Sequence, residues 1–233
     1  MFKTLVFTAT YNESENIKEF IDEVFSKNNN IDLLIIDDKS PDKTYEIISS
    51  LANENKNINL IVRDEKLGLN TAHILAYDYA IKNGYEKFVT LDADLSHDPK
   101  EISKIIKLLE DNPFVIGSRY IKGGINDMSF LRLLISSFGN KLIKFLLNCE
   151  GTEFTTSYRG FNLKLLKNFH FNKIEAEGYS FFMNTVVKLN RMGHKSKEIP
   201  IHFRNRSHGK SKIPKIEIFR TLFNVIKLYF KNE

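Results

Sequence analysis

Between residues 5 and 118, short apolar runs alternate with stretches of helical periodicity, and no other feature limits the fold so strongly. Residues 5–9, 33–37, 60–63, 88–92 and 115–118 read as strands. Residues 16–25, 44–52, 71–81 and 100–110 lie between them and carry apolar side chains at helical spacing. Alternation at these lengths predicts an α/β fold with a doubly wound, mostly parallel sheet. Sheets of this kind receive ligands beyond the carboxyl ends of their strands.

Three of those ends carry polar clusters: Thr10-Tyr11-Asn12-Glu13, Asp37-Asp38-Lys39-Ser40-Pro41-Asp42 and Asp92-Ala93-Asp94. Acidic groups gathered on one edge call for a cation or for the hydroxyls of a ligand. Asp92 and Asp94 are one residue apart, so an extended chain projects both to one side. Like charges so placed repel unless a cation lies between them. Hard divalent ions such as Mg²⁺ or Mn²⁺ suit oxygen ligands and also engage substrate phosphates. Taken alone, the pair reads more often as an Asx-rich turn capping the helix after Pro99.

Composition narrows the classes further. The chain has 233 residues, 42% hydrophobic and 27% charged, which suits one large domain with a small C-terminal appendage. The single cysteine, Cys149, excludes an internal disulfide and fits a reducing compartment. The N-terminus enters a strand at once without a signal-peptide pattern, and no run of about 18 uncharged apolar residues offers a span. A cytoplasmic location is therefore expected. A net charge of +5 leaves nucleic acid, anionic lipid and phosphorylated substrates open.

The second half is organised differently. Residues 129–148 read as a strongly apolar helix on which Arg132, Ser136 and Asn140 form one polar stripe. That stripe is either the solvent face of an amphipathic helix or a set of anion and hydroxyl donors. Residues 178–192 read as a helix and 197–203 as a strand. Residues 204–212, Arg-Asn-Arg-Ser-His-Gly-Lys-Ser-Lys, form either a solvated charge run or a flap that closes over phosphates. In the last helix, residues 214–231, Glu217, Arg220, Thr221, Asn224, Lys227 and Lys231 make one narrow polar stripe. Its length of about 27 Å is near a bilayer's thickness, but Arg220 and Lys227 make a span costly. The helix suits a membrane interface, or packing against the domain or a partner subunit.

Several motifs together resemble the family 2 glycosyltransferases of the GT-A fold, in particular the polyprenol-phosphate (dolichyl-phosphate) mannose synthase branch. They are Thr10-Tyr11-Asn12-Glu13-Ser14-Glu15-Asn16-Ile17, Ile36 to Thr44, Lys66-Leu67-Gly68-Leu69, Leu91 to Pro99 and Gly117-Ser118-Arg119-Tyr120 with Gly123-Gly124. The Arg132/Ser136/Asn140 helix, Thr155 to Arg159, Gly178-Tyr179 and His208 to Lys212 follow in the same order. The resemblance runs from residue 3 to about 213, with residues 1–213 as the GT-A domain and 214–233 as the amphipathic helix. It departs from the usual pattern at Ala9, Lys43, Phe182 and Asn184, and an Asp-Pro-Thr-Ser-Gly-Phe-Arg run appears as Glu153-Phe154-Thr155-Thr156-Ser157-Tyr158-Arg159.

The resemblance implies roles residue by residue. Thr10, Tyr11, Glu13, Asp38 and Asp92 would bind the nucleotide-sugar, with Arg204 and Lys210 on its diphosphate. Asp92, Asp94 and Ser96 would hold Mg²⁺ or Mn²⁺. Arg119, Arg132 and Ser136 would hold the acceptor phosphate, and Asp94 and Arg119 are the expected catalytic groups. His97 is expected to support the loop, and His208 to assist phosphate binding. The expected reaction is inverting transfer of mannose from GDP-mannose to a polyprenyl monophosphate by a peripheral protein on the cytoplasmic face of a membrane. A small membrane-anchored partner subunit is the alternative neighbour for the last helix; nucleic acid is not an expected partner. A UDP-sugar donating glucose or an N-acetylhexosamine is the alternative within the class. A nucleotidyltransferase would want a glycine-rich phosphate loop after the first strand, and Thr10-Tyr11-Asn12-Glu13 is not one. A basic membrane- or nucleic-acid-binding module would leave the acidic strand ends unused.

Overall fold

A computed structural model describes residues 3–176, 178–205 and 216–230, with backbone alone at 179 and 216–222. The first half follows the anticipated alternation: β1 (Thr4–Thr10), α1 (Ile17–Lys27), β2 (Ile31–Asp37), α2 (Thr44–Glu54), β3 (Ile58–Val62), α3 (Leu69–Lys82), β4 (Lys87–Thr90), α4 (Glu101–Leu108) and β5 (Phe114–Ser118). Then come β6 (Ile125–Asn126), α5 (Phe130–Leu146), β7 (Arg159–Asn162), α6 (Gly178–Arg191), β8 (Lys197–Pro200), β9 (His202–Phe203) and α7 (Ile216–Phe230).

Seven of the described strands form one sheet in the order β3-β2-β1-β4-β7-β5-β8. β1, β2, β3 and β4 pair in parallel, as do β5 and β8, whereas β7 runs antiparallel between β4 and β5. Apolar side chains pack on both faces. One layer gathers Leu5, Phe7, Leu34, Phe88, Phe161 and Phe171 under α3 and α6; the other gathers Val6, Leu33, Ile35, Val89 and Val115 under α1 and α4. Each large apolar side chain so buried stabilises by roughly 1.5–3 kcal/mol.

The central antiparallel strand was not legible in the sequence. β7 reads Arg-Gly-Phe-Asn, too short and too polar for an apolar run. Its place is decided by packing: a Cβ on Gly160 would lie 2.3 Å from Ile105 Cγ2 and 2.9 Å from Leu109 Cδ1, so only glycine lets α4 cross this strand. The expected strand 197–203 also divides. β8 joins the main sheet, and after Ile201 β9 pairs with β6 in a separate two-stranded ribbon.

On α5 the polar stripe divides, with Arg132 exposed and the rest turned inward. Asn140 is buried and Ser136 half-buried, while Phe130, Phe138 and Phe145 are 75%, 68% and 82% exposed. α7 packs on α6, with Val225 buried and Asn224 donating from Nδ2 to Asn184 Oδ1 at 2.6 Å. Phe223, Ile226, Tyr229 and Phe230 point outward. Among the described residues, no helix is long and apolar enough to cross a membrane.

Candidate active site

The loops after β1 and β2 form one half of the site, tied together by side chains. Thr10 Oγ1 donates to Asp37 Oδ2 at 2.6 Å, and Ser40 donates to the same carboxylate from its amide (2.8 Å) and its hydroxyl (2.7 Å). Asp37 is thus a buried tie between strands. Asp42 accepts from the Ser14 amide at 3.0 Å and from the Thr44 hydroxyl at 2.6 Å, and Thr44 in turn accepts the Glu13 amide at 3.0 Å. Burial pushes the Asp42 carboxyl up, but the hydrogen bonds from Thr44 and Ser14 outweigh it and hold it below its ordinary range. These ties hold Tyr11, Asn12 and Glu13 at the sheet edge, where Asn12 takes a left-handed φ of 58°. Lys66 Nζ lies 4.0 Å from the centroid of the Tyr11 ring. Glu13 Oε2 accepts from Asn16 Nδ2 at 2.8 Å. Asp38 is buried and receives Arg63 Nε on Oδ1 at 2.6 Å; Arg63 also reaches Thr71 Oγ1 and Gly68 O.

The second half lies next to it, because β4 pairs with β1 and Leu91 N donates to Phe7 O. Here the strand ends at Thr90, before the acidic pair. The expectation that Asp92 and Asp94 share a face of an extended strand is therefore corrected: both sit in a turn. Leu95 has a left-handed φ of 60°, a strained conformation for a branched side chain and one found at functional sites. Asp94 is buried and accepts from the Ser96 amide (3.1 Å) and hydroxyl (2.6 Å) on Oδ1. Ser96 thus braces Asp94. The Asp92 side chain is 38% exposed. Its Oδ1 accepts from Ser157 Oγ at 2.6 Å, and its Oδ2 lies 3.6 Å from His97 Nδ1.

His97 is buried, and its Nδ1 accepts the Asp92 amide proton at 3.2 Å. Its Nε2 is then the protonated nitrogen, 3.3 Å from Thr156 Oγ1. Burial pulls its pKa down, against the raising influence of Asp92 and Asp94. A neutral imidazole with both nitrogens engaged supports the loop rather than moving protons. His73, buried against Phe7 and Phe182, is likewise neutral, its pKa pushed down to about 3 by burial and by Arg159.

Residues 152–157 join the two ends of the chemistry. Glu153 is fully buried and receives Arg119 Nε on Oε2 at 2.7 Å. Its Oε1 accepts from the Thr155 amide (3.0 Å) and hydroxyl (2.9 Å) and the Thr156 amide (3.2 Å). Burial raises the Glu153 pKa, but the Arg119 charge and these donors prevail and hold it below its ordinary value. Glu198 of β8 holds the loop's start through the Thr152 and Glu153 amides at 2.8 and 3.0 Å. Arg159, buried, holds its other end through the carbonyls of Phe154 (2.8 Å), Thr156 (2.7 Å) and Phe182 (2.6 Å).

Arg119 also lies 4.5 Å from the ring of Phe203. The neighbouring Tyr120 hydroxyl meets Ser136 Oγ at 2.6 Å, and Asn140 Oδ1 accepts the Phe154 amide at 2.9 Å. The inner stripe of α5 is therefore bound to the loop that carries Glu153. Arg132, on the same helix, is exposed. Arg204 donates from its backbone amide to Ser96 O at 3.0 Å, and its guanidinium meets the buried Asp98 carboxylate at 2.5 Å. Lys210 and His208 lie outside the described residues. Sequence reasoning passed over Arg63, Glu153, Ser157 and Glu198. The run of residues 153–159 contained Glu153 and Ser157, but only the fold shows which side chains they meet.

The donor chemistry fits a Mg²⁺- or Mn²⁺-type ion. Among the described residues no cluster of three or more metal-binding side chains exists. Asp92 and Asp94 supply carboxylate oxygens only. Mg²⁺ is commonly held by one or two carboxylates, with substrate phosphates and waters completing its shell.

The model of glycosyl transferase family 2 matches residues 5–169. The chain is 30% identical over 226 residues to the polyprenol monophosphomannose synthase of Mycolicibacterium smegmatis, covering 96% of this chain and 85% of that protein. It is 29% identical over 212 residues to the undecaprenyl-phosphate mannosyltransferase of Micrococcus luteus, covering 91% and 87%. Among solved structures, the mannosyltransferase PcManGT from Pyrobaculum calidifontis, in complex with GDP-Man and Mn²⁺, shares the fold. It superposes with a TM-score of 0.64 at 16% identity, over 99% of this chain and 64% of its own length.

Proposed function

The chain belongs to glycosyl transferase family 2, and on that premise we propose that it transfers mannose from GDP-mannose to a polyprenyl monophosphate with inversion. The observation that carries this reading is the loop of residues 152–157, which holds Asp92 by Ser157 and Arg119 by Glu153. A donor diphosphate gathered at the acidic turn and an acceptor phosphate gathered at Arg119 are then registered by one element. The relatives from Mycolicibacterium smegmatis and Micrococcus luteus, named for this chemistry, support the assignment.

The chain's own residues divide the work. Tyr11, Glu13 and the Asp38–Arg63 pair offer a ring and carboxylates for base and ribose. Thr10 braces Asp37 beneath them. Asp92 and Asp94, with Ser96 bracing Asp94, would hold a divalent ion, which when bound supplies charge neutralisation for the departing diphosphate. Arg119, aimed by Glu153, with Ser136 and Arg132 on α5, would hold the acceptor phosphate; Arg204 and Lys210 would bind the donor diphosphate. A phosphate monoester is mostly dianionic at neutral pH because its second pKa is about 6. The nucleophile needs no base, which agrees with a site whose histidine is neutral and doubly engaged. Catalysis is then alignment and charge stabilisation.

The acceptor's chemistry requires access to a bilayer. The exposed apolar side chains Phe130, Phe138 and Phe145 of α5 and Phe223 and Phe230 of α7 support attachment to a membrane surface, and the leaflet we assign is the cytoplasmic one. The test is a panel of GDP- and UDP-sugars with a short polyprenyl phosphate, read by mass spectrometry of the lipid product. A mannosyl phospholipid only from GDP-mannose is expected; a UDP-sugar as the preferred donor would overturn the assignment.

A further inference from the structure

We infer that Ser157 is a positioning residue that presets Asp92 for the divalent cation. The inference rests on the reading of Asp92 as a metal ligand. Asp92 is the more exposed of the acidic pair, and a carboxylate at 38% exposure on a turn has rotamers to choose among. Ser157 removes that choice. Its hydroxyl has one proton, and that proton goes to Asp92 Oδ1 at 2.6 Å. The oxygen that accepts it keeps a second lone pair, and Oδ2 keeps its own, so the carboxylate remains able to bind a cation.

The hydroxyl is itself held in place. Ser157 is buried at 4% exposure. Its carbonyl accepts the Thr90 hydroxyl at the end of β4, the strand that leads into the acidic turn. On one side the Thr156 carbonyl is held by Arg159, and on the other the Tyr158 hydroxyl donates to Asp98 O at 2.9 Å. Ser157 is therefore fixed from both the strand and the acidic turn, and its single donated bond sets the orientation of Asp92 before any cation arrives. Outer-shell partners of this kind govern metal affinity by about 10–100-fold.

The experiment is Mn²⁺ binding to the full chain in the presence of GDP, followed by electron paramagnetic resonance of free Mn²⁺. Ser157→Ala should weaken the apparent Mn²⁺ affinity by about tenfold or more, whereas Ser157→Thr, which keeps the hydroxyl, should restore most of it. In steady state Ser157→Ala should raise the Mn²⁺ concentration needed for half-maximal rate, with the acceptor KM unchanged and the rate recovering at saturating Mn²⁺. Unchanged or tighter Mn²⁺ binding in Ser157→Ala overturns the inference, and so does equal loss in Ser157→Ala and Ser157→Thr, which would assign the effect to packing. Asp92→Asn separates the two readings. If that variant binds Mn²⁺ like the parent, the metal assignment itself falls; if it loses Mn²⁺ while Ser157→Ala does not, only the role of Ser157 falls.

Discussion

Replacing Glu153 with glutamine tests the electrostatic centre of the site. The substitution keeps shape and removes one charge. Glu153 is fully buried, the Arg119 side chain is 8% exposed, and their contact is 2.7 Å. Breaking a buried pair from one side leaves the other charge uncompensated, at about 3–5 kcal/mol. Glutamine also turns one acceptor oxygen into a donor, facing either Arg119 or the Thr155 and Thr156 amides. For a domain of this size each kcal/mol moves Tm by about 2–4 °C, so a fall of roughly 6–20 °C is expected. The pH dependence fixes the sign. The folded pKa of Glu153 lies below its ordinary value of 4.5, so its stabilisation is fully present above that value and is lost as pH falls through the folded pKa. Urea unfolding of parent and Glu153→Gln should therefore show a wide gap at pH 7 that narrows below pH 4.5. In kinetics the variant should lose acceptor affinity through a misaimed Arg119 while GDP binding survives. A destabilisation under about 1 kcal/mol at pH 7, or a gap that does not narrow in acid, would refute the reasoning.

Asp92→Asn should abolish transfer with little change in Tm, and chelation of divalent ions should do the same to the parent; full activity after chelation would sink the metal reading. Arg132→Ala, at an exposed position, should raise acceptor KM by about 10-fold to 150-fold, as loss of a charge-assisted bond of about 1.5–3 kcal/mol implies, with the calorimetric affinity for GDP unchanged. Phe138→Glu with Phe145→Glu, at 68% and 82% exposure, should release the protein from anionic liposomes in a sedimentation assay while leaving urea stability within about 0.5 kcal/mol per site. Gly160→Ala should destabilise by about 1–3 kcal/mol through overpacking against α4, read by Tm; an unchanged Tm would show that Ile105 and Leu109 can yield.

The parallel half of the sheet and its helices were legible because short apolar runs and helical apolar patterns are local. β1 to β5 and α1 to α4 each carry their own signal in a few adjacent residues, and turn residues separate them. The acidic cluster was legible for the same reason, because Asp92, Asp94, Ser96 and His97 are neighbours in the chain, whereas its turn geometry after Thr90 was not. What the local pattern could not carry was decided by contacts between distant residues. β7 has no apolar run and lies mid-sheet because Gly160 admits α4 and Arg159 finds the carbonyls of residues 154, 156 and 182. Ser136 and Asn140 of the α5 stripe turned inward because they have partners in Tyr120 and Phe154, while Arg132 stays exposed and the aromatic side is left to the outside. Periodicity determines that a helix has two faces; which face is buried depends on what the rest of the chain offers each of them. In the same way, the sequence placed acidic clusters at three strand ends. Only tertiary structure decided that Asp38 pairs with Arg63, Asp98 with Arg204 and Glu153 with Arg119, because a charge taken out of water takes the partner that the fold brings within reach.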